Sequence, residues 1–253
     1  MSKGPIKSNK EVEILVEGGK ILREILHNTA SLVKPGISTW ELNEFAEKAI
    51  FQAGGVPSFK NYGDKKNPFP AGLCTSVNDV IVHGIPTKKQ ILKEGDIIGL
   101  DIGMAYKNLF TDTAITVPVG QISALAHKLL ETTKACLERA IKTALVGKTI
   151  GDIGFAIQTH AEANGFSVVR DLVGHGVGYE VHEAPEVPCF GKAGQGLELK
   201  EGMVLAIEPM LCEKSHQIAI EDDGWTITTF DHGLSAHFEH TIAITKNGAR
   251  ILT

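Results

Sequence analysis

The sequence LKEGDIIGLD at residues 92–101 returns at residues 199–208 as LKEGMVLAIE. Each copy has a glycine turn followed by an apolar run that is typical of a strand, and each ends in an acid, Asp101 or Glu208. The repeat predicts two halves that each send a carboxylate from a strand end toward a shared axis. Because several carboxylates in one pocket need cations to be stable there, the repeat is a first indication of a metal site.

The repeat extends to the segments around these strands. The motif VHGIP at residues 82–86 returns as VHEAP at residues 181–185, which gives each half a histidine, His83 or His182. Capping boxes and apolar residues at helical spacing predict a long and a short helix in each half. These helices cover about residues 9–28, 38–54, 123–145 and 149–164.

Short apolar segments bounded by polar turns predict the strands. They lie at residues 96–103, 113–119, 168–172, 203–210, 216–220 and 240–245. Helix pairs followed by strands predict an α+β fold with two pseudo-symmetric halves, a curved antiparallel sheet and flanking helices. Since no linker rich in proline or serine divides the chain, we predict one domain over residues 1–253, with pseudo-repeats at about 9–119 and 123–253.

The composition excludes several classes of protein. The 253 residues are 43% hydrophobic and 22% charged, which is ordinary for a globular protein with a sizeable core. A net charge of −5 offers no basic surface, so neither nucleic acid nor a membrane is expected as a partner. No stretch reaches the ~18 apolar residues of a membrane span. The four cysteines form no C-x-x-C pair, and we expect a cytoplasmic protein with reduced thiols.

Asp101 and Asp112 are the first pair of candidate metal ligands. Asp112 follows eleven residues after Asp101, a spacing that suits two adjacent strands joined by a polar turn around Lys107 and Asn108. That hairpin would bring both carboxylates within reach of one ion. An acid solvated at a strand end is the simpler explanation for either residue taken alone.

Three more candidate ligands adjoin apolar segments. His175 stands between glycines in GHGVG at residues 174–178, a pattern that suits a metal ligand at a turn, although a lone histidine is more often structural. Glu208 precedes Pro209, which favours an extended conformation and a strand end. Glu239 precedes an apolar run that reads as a core strand.

Considered together, the four acids favour a functional interpretation over a structural one. They are Asp101, Asp112, Glu208 and Glu239. They would carry about −4, which two divalent cations would neutralise. Oxygen ligands with one imidazole favour Mn, Fe(II), Co, Zn or Ni in a catalytic role, because a structural zinc would show thiolates. Two such ions can polarise a carbonyl and activate water, so the residues predict a two-metal hydrolase that cleaves an amide.

These motifs resemble those of the type I methionine aminopeptidases of the bacterial kind, which have the pita-bread fold. The resemblance covers essentially the whole chain. It rests on NDVIVHGIP at residues 78–86, Asp101 with Asp112, GHGVG at residues 174–178 with His182, IEP at residues 207–209 and SAHFEHT at residues 235–241.

The resemblance implies a set of metal ligands and catalytic groups. In that set Asp101 and Asp112 bind one ion, Asp112 and Glu239 bridge, and His175 and Glu208 complete the second site. His182 would hydrogen-bond the scissile amide, His83 would stabilise the tetrahedral intermediate or the departing amine, and Glu208 would help to deprotonate the attacking water. Asn78, Val80 and Ser235 match positions that hold a monovalent cation, Na or K, in relatives.

The resemblance also implies a pocket for the methionine side chain. Its walls would come from Cys74, Phe69, Tyr62 and Trp225, with Val181 beside His182. A small apolar cleft that tolerates sulfur suits an unbranched methionine. Relatives often carry a larger aromatic residue where Val181 stands, and the segment at residues 64–68 is longer than usual, so the shape of this pocket is expected to differ.

The activity implied is removal of the initiator methionine from nascent proteins whose second residue is small. Association with the ribosome is an expectation from that activity, and a monomer is the default oligomeric state. Two alternatives stay open. X-Pro aminopeptidases and prolidases share the ligand pattern but usually carry a large N-terminal domain, and non-catalytic pita-bread binding proteins have lost ligands. Only 25 residues separate His182 from Glu208, which leaves no room for the helical insertion of type II enzymes.

Overall fold

The computed structural model describes residues 4–253, so residues 1–3 of the predicted domain lie outside the described part. Four helices form in the predicted order of long and short. They are α1 (Asn9–Ser31), α2 (Thr39–Gln52), α3 (Ala124–Thr143) and α4 (Ile150–Ala163). Capping boxes begin α1, α2 and α4, since the N-cap hydroxyl and the acid three residues on satisfy each other's backbone N–H groups.

Fifteen strands accompany these helices in the described residues. They are β1 (Val56–Pro57), β2 (Leu73–Val77), β3 (Val80–Val82), β4 (Ile97–Tyr106), β5 (Leu109–Pro118), β6 (Ser167–Val168), β7 (Val173–Gly176), β8 (Glu183–Pro188), β9 (Val204–Ile207), β10 (Met210–Cys212), β11 (Ile218–Ile220), β12 (Ile227–Thr229), β13 (Ser235–His237), β14 (Glu239–Thr245) and β15 (Gly248–Ile251).

The strands form one large and two small antiparallel sheets. The large sheet has nine strands in the order β1-β4-β5-β14-β9-β7-β8, with β2 also paired to β4 and β15 to β14. The small sheets have the orders β13-β10-β6 and β11-β12-β3. The β14 strand pairs with β5 from the first half and with β9 from the second, so it joins the two halves of the sheet.

The internal repeat is visible in the turns that precede β4 and β9. The N–H of Gly36 donates to Leu92 O at 2.8 Å, and the N–H of Gly147 donates to Leu199 O at 3.1 Å. The glycine of each LKEG motif adopts a positive φ, +92° at Gly95 and +85° at Gly202, which a residue with a side chain rarely adopts. The repeated sequence therefore encodes a repeated turn.

Each half has its own apolar core against its helices. In the first half, Leu22, Leu26, Leu42 and Ile50 of α1 and α2 are buried against Leu100 and Ile102 of the large sheet. In the second half, the buried faces of α3 and α4 pack with residues of β9, β10 and β14. Burial of these side chains on one face of the sheet leaves the opposite face free to form a site.

Several strand predictions are wrong in position. Asp101 and Asp112 lie inside the ten-residue strands β4 and β5 rather than at strand ends. The predicted strand at residues 203–210 is interrupted at Glu208, because Pro209 has no N–H for a strand ladder. The segment at residues 168–172 is strand only at its first residue, and the one at residues 216–220 begins at Ile218.

Eight strands were not predicted, namely β1, β2, β3, β7, β8, β12, β13 and β15. Most are only three to five residues long, too short to show a periodic pattern. The β8 strand contains Pro185 and Pro188 and lies at an edge of the large sheet, where a strand can tolerate proline. None of the helices in residues 4–253 combines the length and apolar composition needed to cross a bilayer.

Candidate metal centre and substrate cleft

The β4–β5 hairpin presents Asp101 and Asp112 on one face. Asp101 lies opposite Ala114 and Asp112 lies opposite Gly103, so the two acids are diagonal neighbours in adjacent strands. Lys107 and Asn108 form the turn with φ values of +50° and +65°, as in a type I′ hairpin. The predicted hairpin is present, and its register places both carboxylates on the same side of the sheet.

His175 occupies the middle of β7, between the backbones of β8 and β9. A Cβ on Gly176 would overlap the carbonyl of Ala184, and a Cβ on Gly174 would lie 2.5 Å from the carbonyl oxygen of Ala206. Both glycines are therefore required by the close approach of neighbouring strands. The ring is held by its Nδ1, which lies 2.9 Å from Gly176 O, and this contact leaves Nε2 to face the acids.

Replacement of Gly176 by alanine is expected to displace His175 and to lower activity strongly. The new methyl group has only backbone atoms around it, so β7 or β8 must move to accommodate it. Gly99→Ala is the matched control, because a Cβ there would make its nearest contact at an ordinary 3.4 Å in the same sheet. Steady-state kinetics and the melting temperature of both variants test this; equal effects would contradict it.

Glu208 and Glu239 complete the cluster from the second half. Glu208 follows β9 and Glu239 begins β14, where it lies opposite Ala114 of β5. The ligand atoms of Asp101, Asp112 and Glu239 all lie within 4.8 Å of one another, and so do those of His175, Glu208 and Glu239. The structure thus brings together all five residues named as ligands, in two groups that share Glu239. A third group combines Asp112 and His175 with His182.

The donor set fits divalent cations. Asp101 Oδ1, Asp112 Oδ1 and Glu239 Oε1 are buried and have no hydrogen-bond partner among residues 4–253. Buried carboxylate oxygens are normally paired, because leaving them without a partner costs free energy. A cation that accepts these oxygens as ligands would remove that cost, and the mixture of oxygens with one imidazole suits first-row transition metals.

The pKa values of the clustered acids also indicate that a cation is needed there. Burial, followed by the charges of neighbouring acids, raises the pKa of Asp112 and of Glu239 well above the usual range. Burial also raises the pKa of Asp101 to about 6. For Glu208, burial is opposed by the adjacent His237 and by His175 and His182, which together hold its pKa below the ordinary value. Burial, with repulsion between the acids, accounts for the raised pKa values, and the neighbouring histidines account for the low pKa of Glu208.

His83 and His182 line the cleft above the carboxylates. Burial lowers the pKa of His182 to about 4, with a further contribution from His175, and burial lowers the pKa of His83 as well. Both rings are therefore neutral near pH 7 and can each offer one N–H. The Nδ1 of His182 lies 2.7 Å from the hydroxyl of Tyr62, and its ring meets that of His175 at a centroid distance of 4.3 Å.

The cleft encloses about 540 Å³ of space, including its open mouth. All four predicted pocket residues line it, namely Cys74, Phe69, Tyr62 and Trp225. Val181 does not line the cleft but packs behind it with Phe69 and Cys74. The prediction did not include Phe59 and Val82, which also line the cleft and which read in the sequence as ordinary core residues.

His237 is a further buried group at the site that the prediction did not single out. Its Nε2 lies 3.5 Å from Glu208 Oε2 and has no hydrogen-bond partner among residues 4–253. Its backbone exchanges two hydrogen bonds with the hydroxyl of Thr116, which fixes its position. The only signal in the sequence is its place two residues before Glu239 in SAHFEHT.

The residues named for a monovalent cation lie close together. The N–H of Ser235 donates to Asn78 O at 2.8 Å, and Val80 pairs with Thr228 in the small sheet that contains β3. Asn78 has a φ of +55°, and its side chain bonds Asp96 and the N–H of Ile97. This ordered turn is compatible with an ion held by backbone oxygens, and the monovalent site stays a prediction.

The chain is similar to known proteins in both sequence and structure. The model of "Metallopeptidase family M24" matches residues 13–246. A methionine aminopeptidase of Clostridium perfringens is 47% identical over 249 residues, which cover 98% of both chains. The crystal structure of the methionine aminopeptidase of Thermotoga maritima has a TM-score of 0.96 at 40% identity and covers 99% of each chain. The Xaa-Pro dipeptidase of Bacillus anthracis shares the fold, with a TM-score of 0.78 at 21% identity, and this chain spans 61% of it.

Proposed function

The chain belongs to metallopeptidase family M24 and has the pita-bread fold, and from this we propose that it is a methionine aminopeptidase that removes the N-terminal methionine of proteins. The high identity to methionine aminopeptidases over nearly the full length of both chains supports this activity. The proposal rests on five potential ligands that converge beneath a narrow cleft. Several of their buried oxygens have no hydrogen-bond partner among residues 4–253.

The protein binds divalent metal through this cluster, and we propose two ions per chain. Asp101, Asp112 and Glu239 would hold one ion, and His175, Glu208 and Glu239 the other, as their grouping suggests. The resemblance implies that Asp112 also bridges. The ions would supply Lewis-acid polarisation of the scissile carbonyl and would acidify the attacking water. Co, Mn, Fe(II), Zn and Ni are all compatible with the donor set.

Three side chains of this protein would then have separate roles in the reaction. Glu208 stays ionised because its pKa is held low, so it can take the proton of the attacking water. His182, a neutral ring that touches Tyr62, would donate a hydrogen bond to the amide being cleaved. His83 faces the same cleft and would stabilise the tetrahedral intermediate or the departing amine. The surrounding apolar side chains would exclude bulk water from the reaction.

The cleft supports selection of methionine. Phe59, Phe69, Cys74 and Trp225 provide an apolar, sulfur-tolerant lining that can bury an unbranched side chain and that offers a charged one no partner. We propose that the second residue of the substrate is small, as the resemblance implies. We also propose a cytoplasmic monomer that acts on nascent chains, since initiator methionine is removed where proteins are made; contact with the ribosome stays a prediction.

Two other functions make different predictions. The prolidase-like structures are only 20–23% identical to this chain and therefore support the fold alone. A non-catalytic binding protein would have no reason to keep all five ligands in contact. The site thus favours an active peptidase, and the comparisons favour one that acts on methionine.

Hydrolysis of tripeptides tests the proposal. With Mn or Co added, we expect the protein to release methionine from Met-Ala-Ser, much less leucine from Leu-Ala-Ser, and little methionine from Met-Leu-Ser. Preferred cleavage of X-Pro peptides would identify a prolidase instead. If no peptide were cleaved, and metal analysis found no divalent ion with the purified protein, the binding-protein alternative would hold.

A further inference from the structure

Trp225 lines the cleft from the tip of a hairpin. It lies in the turn between β11 and β12, where Asp223 Oδ1 accepts the N–H groups of Trp225 and Thr226, both at 2.7 Å. The indole ring meets Phe69 edge-on at a centroid distance of 5.4 Å and His83 at 6.3 Å. A small rotation of this ring would widen the cleft beside His83.

The loop at residues 61–69 covers this ring from outside. Two backbone hydrogen bonds join the ends of this loop, from Asn61 N to Phe69 O at 2.8 Å and from Phe69 N to Tyr62 O at 2.9 Å. Gly63 lies directly under the indole, because a Cβ there would be 2.5 Å from the Trp225 ring. This loop contains residues 64–68, the segment that is expected from the resemblance to be longer than usual.

Asn67 connects the loop to the hairpin by two hydrogen bonds. Its Nδ2 donates to Asp223 O at 2.9 Å, and its backbone oxygen accepts from the Trp225 Nε1 at 2.9 Å. These bonds hold the hairpin at both the backbone and the indole, across 156 residues of sequence. Since Asn67 and Asp223 are both exposed, burial contributes little to this contact, and the two hydrogen bonds fix its geometry.

We propose that Asn67 is a specificity-determining residue that fixes the Trp225 ring as a wall of the methionine pocket. The inference rests on the proposed function, because the pocket is where the methionine side chain would lie. With the ring fixed, the cleft accepts an unbranched side chain and rejects one that is branched near its Cβ or Cγ. Without the Asn67 side chain, the hairpin tip loses its hydrogen bond at Asp223 O. The Trp225 ring then rotates outward, and the preference for unbranched over branched side chains falls.

Asn67→Asp tests this most directly, because it keeps the size of the side chain but replaces the amide donor with an acceptor that faces Asp223 O. Asn67→Gln retains the donor and should restore part of the effect. Lys65→Ala is the matched control, since Lys65 is an exposed residue of the same loop. The chain has two tryptophans, so in a Trp40→Phe background the emission reports Trp225 alone.

In that background, Asn67→Asp should move the Trp225 emission to longer wavelength without any ligand. Its KM for Met-Ala-Ser should rise about fivefold to tenfold, the effect of one lost hydrogen bond, with kcat nearly unchanged. The ratio of kcat/KM for Met-Ala-Ser over Leu-Ala-Ser should fall, while Lys65→Ala should change none of these values.

Equal emission and equal Met-to-Leu ratios in Asn67→Asp and Lys65→Ala would overturn the inference. Failure of the parent protein to hydrolyse Met-Ala-Ser would instead overturn the proposed function. The two failures are distinguishable, because the emission of Trp225 in the absence of substrate tests its attachment to Asn67 whether or not any peptide is cleaved.

Discussion

Glu239→Gln is expected to lower kcat/KM for Met-Ala-Ser by about 10³-fold or more, because several kcal/mol of transition-state stabilisation depend on both metal positions. Glu239 belongs to two of the three groups of potential ligands, one with Asp101 and Asp112 and the other with His175 and Glu208. Glutamine has nearly the same shape but carries no negative charge, so it weakens both positions without removing packing.

The measurements are kinetics together with the metal content of the dialysed protein. We expect fewer bound ions in Glu239→Gln than in the unaltered protein, with the helical signal in circular dichroism unchanged. Glu138→Gln, an exposed position on α3, is the control for loss of one carboxylate. Retention of full activity by Glu239→Gln would exclude the proposed metal centre.

Asp112→Asn is expected to have opposite effects on activity and on the stability of the metal-free protein. Burial and the neighbouring Asp101 raise the pKa of Asp112 well above the usual range, so its charged form is unfavourable when no cation is present. Its backbone N–H and carbonyl are satisfied by the Thr241 hydroxyl at 3.0 and 2.7 Å, and they would keep that partner after the substitution. Asparagine should therefore fit the same space without the electrostatic cost.

After treatment with a chelator, Asp112→Asn should unfold at a temperature several degrees above that of the unaltered protein, for a gain of about 1–2 kcal/mol. Addition of Mn should reverse the order, since binding at 1,000 times Kd adds about 4 kcal/mol to a protein that keeps its ligands. Activity should be lost in the variant. A metal-free melting temperature lower than that of the unaltered protein would show that the cluster is not electrostatically strained.

Four of the five candidate ligands could be picked out from the sequence because each is marked by a local feature. A repeat marks Asp101 and Glu208, a hairpin spacing marks Asp112, and flanking glycines mark His175. The structure brings them together through the pairing of neighbouring strands in the large sheet. Helices are predicted to within a few residues, since capping boxes mark where they begin.

The sequence is less informative where a contact depends on distant segments. Nothing near Asn67 indicates that it meets Asp223, and nothing near His237 indicates that its ring faces Glu208. Phe59 and Val82 look like any other core residues until the cleft is seen. Strand ends are displaced for a similar reason, because the length of β4 and β5 is set by pairing with each other and with β14 rather than by local preference.

The β14 strand, which joins the two halves of the large sheet, also has a consequence for folding kinetics. Its Glu239 meets Ala114 only after a segment of more than a hundred residues has closed on itself, a slow event compared with formation of either half. An ion held by Asp101, Asp112 and Glu239 would need ligands from both halves, so we expect its site to form late and the ion not to speed folding. We expect such an ion to slow unfolding instead, so that bound metal would lengthen the lifetime of the folded enzyme rather than shorten the time it needs to fold.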